Sequence, residues 1–303
     1  MEEINPRLNS ATGGIAYSAA AFTYFIVLFV VSLILKLTAL DSKSDAYLYI
    51  SYLVSPAAIS LSVIGVLKFR KISFKSIVPV KCNPKYFLIA ALLIYGLVFA
   101  LSWVNGVSVK FFELFGYKQR EAGSYLPDLS GGKVVLALLV IAVLPALFEE
   151  LLFRGIILNS CENGAGTVRT VFLVGFCFSL FHASPEQTVY QFITGCAFAF
   201  IALRSGSILP SVLMHFINNA LIVIFAACGL FDEAGNLIIS TGGNIALIVT
   251  AAVALTVALV WLILDKTPVK KCEKGGVKSF FLCAAPAIAV FGIVWIVSLF
   301  GVA

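Results

Sequence analysis

Glu149 and Glu150, with Arg154 four residues further on, sit in the middle of a run that is otherwise apolar enough to cross a membrane. A carboxylate or guanidinium near the centre of a bilayer costs a few kcal/mol even on lenient insertion scales, so it faces protein or a water cavity and marks function by default. Glu150 and Arg154 have the order and spacing at which an acid and a base best pair along a helix, so each offsets the other's desolvation. Glu149 lies about 100° around the helix from Glu150 and has no basic partner on its own face. The plainer alternative is that the three charges neutralise one another and pin helix packing.

Histidine supplies the second clue. The chain has two, His182 and His215, each in or at the end of an apolar run. Phe178 precedes His182 by four residues and Asn219 follows His215 by four, so each pair shares one helix face. A lone histidine on an apolar helix is more often a satisfied core residue than a ligand. Here both histidines and both intramembrane acids fall in three segments between 134 and 230, which favours one shared site. Glutamate, histidine and a side-chain amide can activate water against a carbonyl: a carboxylate or imidazole takes the water's proton, and a neutral His or an Asn donates to the developing oxyanion. Glu149, His182 and His215 also match the two-imidazole, one-carboxylate ligand set of many catalytic zinc sites. The H-E-x-x-H spacing of helical zinc proteases is absent. Zinc, another divalent metal and a metal-free mechanism all stay open.

The elements that must position these residues are helices in a membrane. Of 303 residues 61% are hydrophobic and 12% charged, against about a quarter charged in soluble domains. Apolar runs at about 20–40, 47–67, 87–104, 134–158, 167–182, 187–203, 207–230, 244–264 and 279–302 approach the length of a span. They predict an all-α, polytopic bundle of about eight to nine spans, one integral membrane domain over 1–303, with its chemistry in 134–230. The N-terminus lacks the basic region of a signal peptide, so the first run is expected to stay as a helix. Net charge is +6, but the basic residues gather between apolar runs as topology determinants, and no nucleic-acid partner is implied. The lysines of 68–85 and 265–278, and Arg204, place those loops in the cytoplasm, and the acidic 231–243 loop with Asp232 and Glu233 outside. Nine spans then set His182 near the outer end of its run and Glu149 nearer the cytoplasm, which fits a shared site poorly. Val107 to Phe115 reads as a short interfacial helix, Pro145 as a kink that frees backbone carbonyls beside Glu149, and Gly175, Ser179, Gly195 and Ala199 as small residues permitting close helix approach. Seven cysteines without a C-x-x-C pair predict neither disulfides nor a cysteine metal site.

In order, Glu149-Glu150-x-x-x-Arg154, Phe178-x-x-x-His182 and His215-x-x-x-Asn219 resemble the three motifs of the CAAX protease and bacteriocin-processing (CPBP, or Abi) family of intramembrane proteases, often classed as metalloendopeptidases. The Arg154-Gly155 extension and the Arg204-Ser-Gly-Ser-Ile-Leu-Pro lead-in to His215 are similar too, and the resemblance covers about 134–225. It implies that Glu149 and His182 activate water, that His215 and Asn219 stabilise the oxyanion, and that Glu150, Arg154 and Phe178 support the site. The implied substrate is a membrane-associated or lipid-anchored peptide, prenylated CAAX-like peptides included, reached among membrane lipids. Location follows as a multi-pass membrane protein, of the cell membrane if the source is prokaryotic. Loops at Arg169 and Arg204 suggest cytoplasmic access. Against a rhomboid-type serine protease, Ser205 and Ser207 stand too close to His215 to occupy a different helix. A proton-coupled transporter or a non-catalytic membrane scaffold is the rival class; no inverted repeat supports the former.

Overall fold

The computed structural model describes residues 8–118, 126–161, 166–232, 237–267 and 277–301. Each of the nine apolar runs forms a helix: α1 (Ser10–Leu37), α2 (Asp45–Arg70), α4 (Lys85–Ala100), α6 (Lys133–Cys161), α7 (Thr167–His182), α8 (Thr188–Ser205), α9 (Leu209–Ala227), α10 (Thr241–Leu264) and α11 (Lys278–Leu299). Two shorter helices, α3 (Phe74–Ile77) and α5 (Trp103–Glu113), complete the set. Among the described residues no strand forms beyond a single bridge, Phe231 to Leu237. Polar caps set several starts: the side chains of Asn9, Ser44 and Ser240 accept from backbone N–H groups of the first turn, satisfying donors that a helix N-terminus leaves free.

This is a multi-pass integral membrane protein. Among the described residues six helices are long and apolar enough to span, or seven if the bent pair α4–α5 is one span. The expected eight to nine is not reached, because α7 is only 16 residues long and α8 carries Thr188, Gln191, Thr194 and Arg204. The length of α7 also removes the mismatch in depth. At 1.5 Å per residue, Glu149 lies about 18 Å from the Cys161 end of α6 and His182 about 22 Å from the Thr167 end of α7, so the two meet at similar depth. Directly after His182, Ala183 takes a left-handed φ of 47°, rare for a residue with a Cβ, and α7 stops there.

Two apolar cores flank the site. One joins α1, the second half of α6, α7 and α11 around fully buried Tyr17, Phe153, Phe178 and Phe280; the Tyr17 hydroxyl donates to the Cys177 carbonyl at 3.1 Å. The other joins α4, α8, α9 and α10 around Tyr86, Phe198, Met214 and Leu262. Between them α7 and α8 approach backbone to backbone at Gly175 and Gly195, as the small residues predicted. A Cβ on Gly175 would meet the Cys196 nitrogen and the Phe192 carbonyl at 3.0 Å, and one on Gly195 would meet Gly175 Cα at 3.0 Å.

The Lys-rich end is tied by Asp265. Its carboxylate accepts from Lys85 Nζ at 2.9 Å and Tyr86 hydroxyl at 2.6 Å, and its carbonyl accepts from Arg204. Burial pushes the Asp265 carboxyl up, but the bonds from Tyr86, Lys85 and Thr267 outweigh it and hold the group below the ordinary carboxylate range. Ser207 Oγ and the Ile208 N–H both donate to the Pro79 carbonyl, and Ile77 O lies 2.9 Å from where a Cβ of Gly155 would be. The loop around α3 is thereby strapped to α6 and to the α8–α9 turn. Lys270, Lys271, Lys274, Cys272 and Glu233, which entered the topology and cysteine expectations, lie outside the described residues, as does the N-terminal 1–7 segment.

Gly175→Ala should lower stability in detergent by about 1–3 kcal/mol, the usual cost of overpacking. Gly65→Ala, where nothing lies within 4 Å, should be neutral or stabilising by up to about 1 kcal/mol, since glycine disfavours a helix interior. Melting midpoints of the two variants check both. Asp265 ties a second outcome to pH: a depressed carboxyl stabilises fully above its unfolded pKa and loses that contribution as pH falls through the lower folded value. The melting difference between wild type and Asp265→Asn should therefore be constant from pH 7 to pH 5 and shrink only in stronger acid.

Candidate catalytic site

Glu150 and Arg154 are fully buried and paired, Oε1 to Nη1, at 2.7 Å. Arg154 Nη2 donates to the Gly195 carbonyl at 3.0 Å, which is within reach because α7 and α8 pack so closely. The guanidinium also faces the rings of Phe178 at 4.7 Å, Phe198 at 5.2 Å and Phe153 at 5.8 Å, so aromatic faces replace part of the lost hydration. Arg154 sits on a π-helical stretch, Leu151–Leu158, that follows the α-helical turn Leu144–Glu150. Such widened turns recur at functional sites.

The same Glu150 oxygen takes a third role. His215 Nδ1 lies 3.0 Å from Glu150 Oε1, and a carboxylate paired with Arg154 can only accept, so Nδ1 carries the proton. His215 Nε2 is thereby turned toward Glu149 Oε2, 3.9 Å away. His182 is oriented in the same way: Nδ1 meets the Phe178 carbonyl at 2.8 Å, donates to it, and leaves Nε2 free. Phe178 stacks between the histidines, 4.8 Å from the His182 ring and 5.9 Å from that of His215.

Pro145 does not break α6, which runs on from Lys133 to Cys161. Its missing N–H would have served the Ile141 carbonyl in an α-helix. That carbonyl accepts instead from Asn219 Nδ2 at 3.3 Å, and a second π-helical stretch, Leu138–Val143, precedes the proline. Asn219 Oδ1 accepts from Asn218 Nδ2 at 3.1 Å, and Asn218 Oδ1 from Tyr190 at 3.2 Å. These bonds fix the Asn219 amide and leave one N–H to spare.

A cavity of about 60 Å³ collects Glu149, Phe178, His182, His215 and Asn219, with room for a few waters. Glu150 and Arg154 stand behind it. Glu149 Oε2 is buried without a hydrogen-bond partner among the described residues, an expense that a structure retains for a reason. Gln191, Thr194, Phe198 and Asn218 also line the cavity and were not read from the sequence. Gln191 and Thr194 are three apart on α8, a polar pair in an apolar run that was the available signal.

The donor set offers two free imidazole nitrogens and a carboxylate, yet among the described residues no three His, Cys, Asp or Glu side chains stand close enough to hold a metal ion. Glu149, His182 and His215 as placed do not make the ligand shell expected from their types.

Residues 131–221 match the family model described as type II CAAX prenyl endopeptidase Rce1-like, a range that holds all seven residues of the three motifs. The match covers under a third of the chain and supports its assignment to the CAAX protease family. No curated protein and no solved structure matches it.

Removing one partner of the buried pair strands the other, at about 3–5 kcal/mol. Glu150→Ala and Arg154→Ala should both reduce the folded yield in membranes, whereas Glu149→Gln should accumulate as wild type does. Equal losses of yield in all three, read by detergent-resistant monodisperse protein, would leave only a packing role for the charges.

Proposed function

We propose that the chain is an intramembrane endopeptidase that hydrolyses membrane-associated peptides with a water activated by Glu149 and His182. The observation that carries this reading is the convergence of Glu149, His182, His215 and Asn219 from α6, α7 and α9 on one small cavity, with the Glu149 Oε2 lone pairs unspent. Glu149 takes a proton as water attacks the scissile carbonyl and passes it to the leaving amine as the tetrahedral intermediate collapses. The free Nε2 of His182 accepts a hydrogen bond from the same water and aligns it. The spare N–H of Asn219 donates to the oxyanion. His215, whose Nδ1 is held by Glu150, turns Nε2 into the same cavity and stands beside the oxyanion.

A site within the bilayer favours a substrate delivered by the membrane, lipid-anchored or itself apolar. The family's description as prenyl endopeptidases supports lipid-anchored, CAAX-like peptides. The peptide must be extended where it is cut, because a helix keeps its carbonyls in backbone hydrogen bonds.

Purified protein in nanodiscs, given an internally quenched peptide with and without a lipid anchor, tests this. The anchored peptide should be cleaved faster, and Glu149→Gln should cut kcat by about 10²–10⁴-fold with an unchanged melting midpoint. Full turnover in Glu149→Gln refutes the mechanism, and equal rates on both peptides refute delivery by the membrane.

A further inference from the structure

A second cavity, about 250 Å³, adjoins the catalytic one, and Gln191 and Asn218 line both. Tyr190, hydrogen-bonded to Asn218, stands at their boundary. The remaining polar lining is Ser102, Asn105 and Gln187, with Leu101, Phe225 and other apolar side chains making the opposite walls. Among the described residues no charged side chain lines it. Asn105 Oδ1 is buried there with no partner among the described residues.

Resting on the protease reading above, we infer that this groove holds an extended, uncharged stretch of the peptide substrate beside the scissile bond and admits it from the end of the bundle opposite the Lys-rich loops. An extended peptide offers one N–H and one C=O at every residue, and the amides of Asn105, Gln187 and Gln191 can meet both. A phosphate or other anionic head group would find neither Lys nor Arg. The apolar walls take alternate side chains, which point to opposite faces of an extended chain.

The direction of entry follows from which ends of the helices line the groove. Leu101 and Asn105 lie at the α4–α5 bend, Gln187 just before α8, Phe225 in the last turn of α9, and Phe231 and Leu237 in the bridge beyond it. The opposite ends of α4, α8 and α10 meet at Lys85, Arg204 and Asp265. By the positive-inside rule that Lys-rich end is cytoplasmic, so the groove opens to the non-cytoplasmic side. This reverses the cytoplasmic access suggested by the loops at Arg169 and Arg204. Helix α5 borders the opening with an exposed stripe of Trp103, Val107 and Phe111, the amphipathic pattern of a helix lying in the membrane interface.

Cys228, exposed between Phe225 and Phe231, is a native probe of the mouth. A bulky membrane-impermeant maleimide added to intact cells should label it, and in nanodiscs the label should reduce kcat/KM for the anchored peptide at least tenfold, while Cys228→Ser protein treated in the same way keeps its rate. Asn105→Leu should raise KM and leave kcat near wild type. In Glu149→Gln protein the label should weaken binding of the fluorescent peptide at least tenfold, a readout that needs no turnover. Complete labelling with unchanged kcat/KM and binding overturns the groove, and labelling only after cells are permeabilised overturns the direction of entry. A wild type that binds the peptide through the groove but never cleaves it refutes the protease reading alone.

Discussion

One carboxylate oxygen, Glu150 Oε1, holds both Arg154 and His215 in a place where water does not reach. Buried charge is tolerated when its partners are close, and three helices bring them to Glu150 Oε1, although Glu150 Oε2 and Arg154 Nε stay without a hydrogen-bond partner among the described residues. α6 supplies Glu150 and Arg154, α8 supplies the Gly195 carbonyl, and α9 supplies His215. Glu149 gains its freedom from the same arrangement. Because Glu150 absorbs Arg154, the neighbouring glutamate is left with only a histidine nitrogen at 3.9 Å and a small cavity in front of it. Helix spacing and charge satisfaction are therefore one requirement: α7 and α8 must touch at glycine for the Arg154 side chain to reach its carbonyl.

The apolar runs marked all nine long helices, and motif spacing marked the residues that share a cavity, because both depend on local periodicity and on the cost of charge in lipid. The span count is not reached for a different reason: α7 is helical over the whole expected 167–182 run, yet at 16 residues it is short for a span, and α8 interrupts its apolar run with polar side chains. The part of Gln191, Thr194 and Asn218 was hidden because a polar residue in an apolar run gains meaning only from what faces it. The second role of Glu150 was hidden similarly: four-residue spacing predicted its pairing with Arg154, but its contact with His215 joins positions 65 residues apart.

Pro145 shows how a local defect becomes part of a site. The carbonyl it cannot serve is met by Asn219 from another helix, so the amide gains a fixed orientation from a bond that the backbone failed to make. The expected kink is replaced by widened turns on either side of Leu144–Glu150, and α6 stays continuous. Tyr190, Asn218 and Asn219 extend this into a chain of three hydrogen bonds ending on Ile141, each donor having one acceptor.

The brevity of α7 reaches beyond the protein. At 16 residues it is about 24 Å long, against a hydrocarbon core of about 30 Å. Lipid beside α7, which exposes Val168, Phe172 and Phe176, must either thin or yield to polar groups, each at a fraction of a kcal/mol per Å. Hydrophobic mismatch is thus built into the helix that carries Phe178 and His182, and acyl-chain length becomes a property of the surroundings to which the hydration of their cavity is coupled.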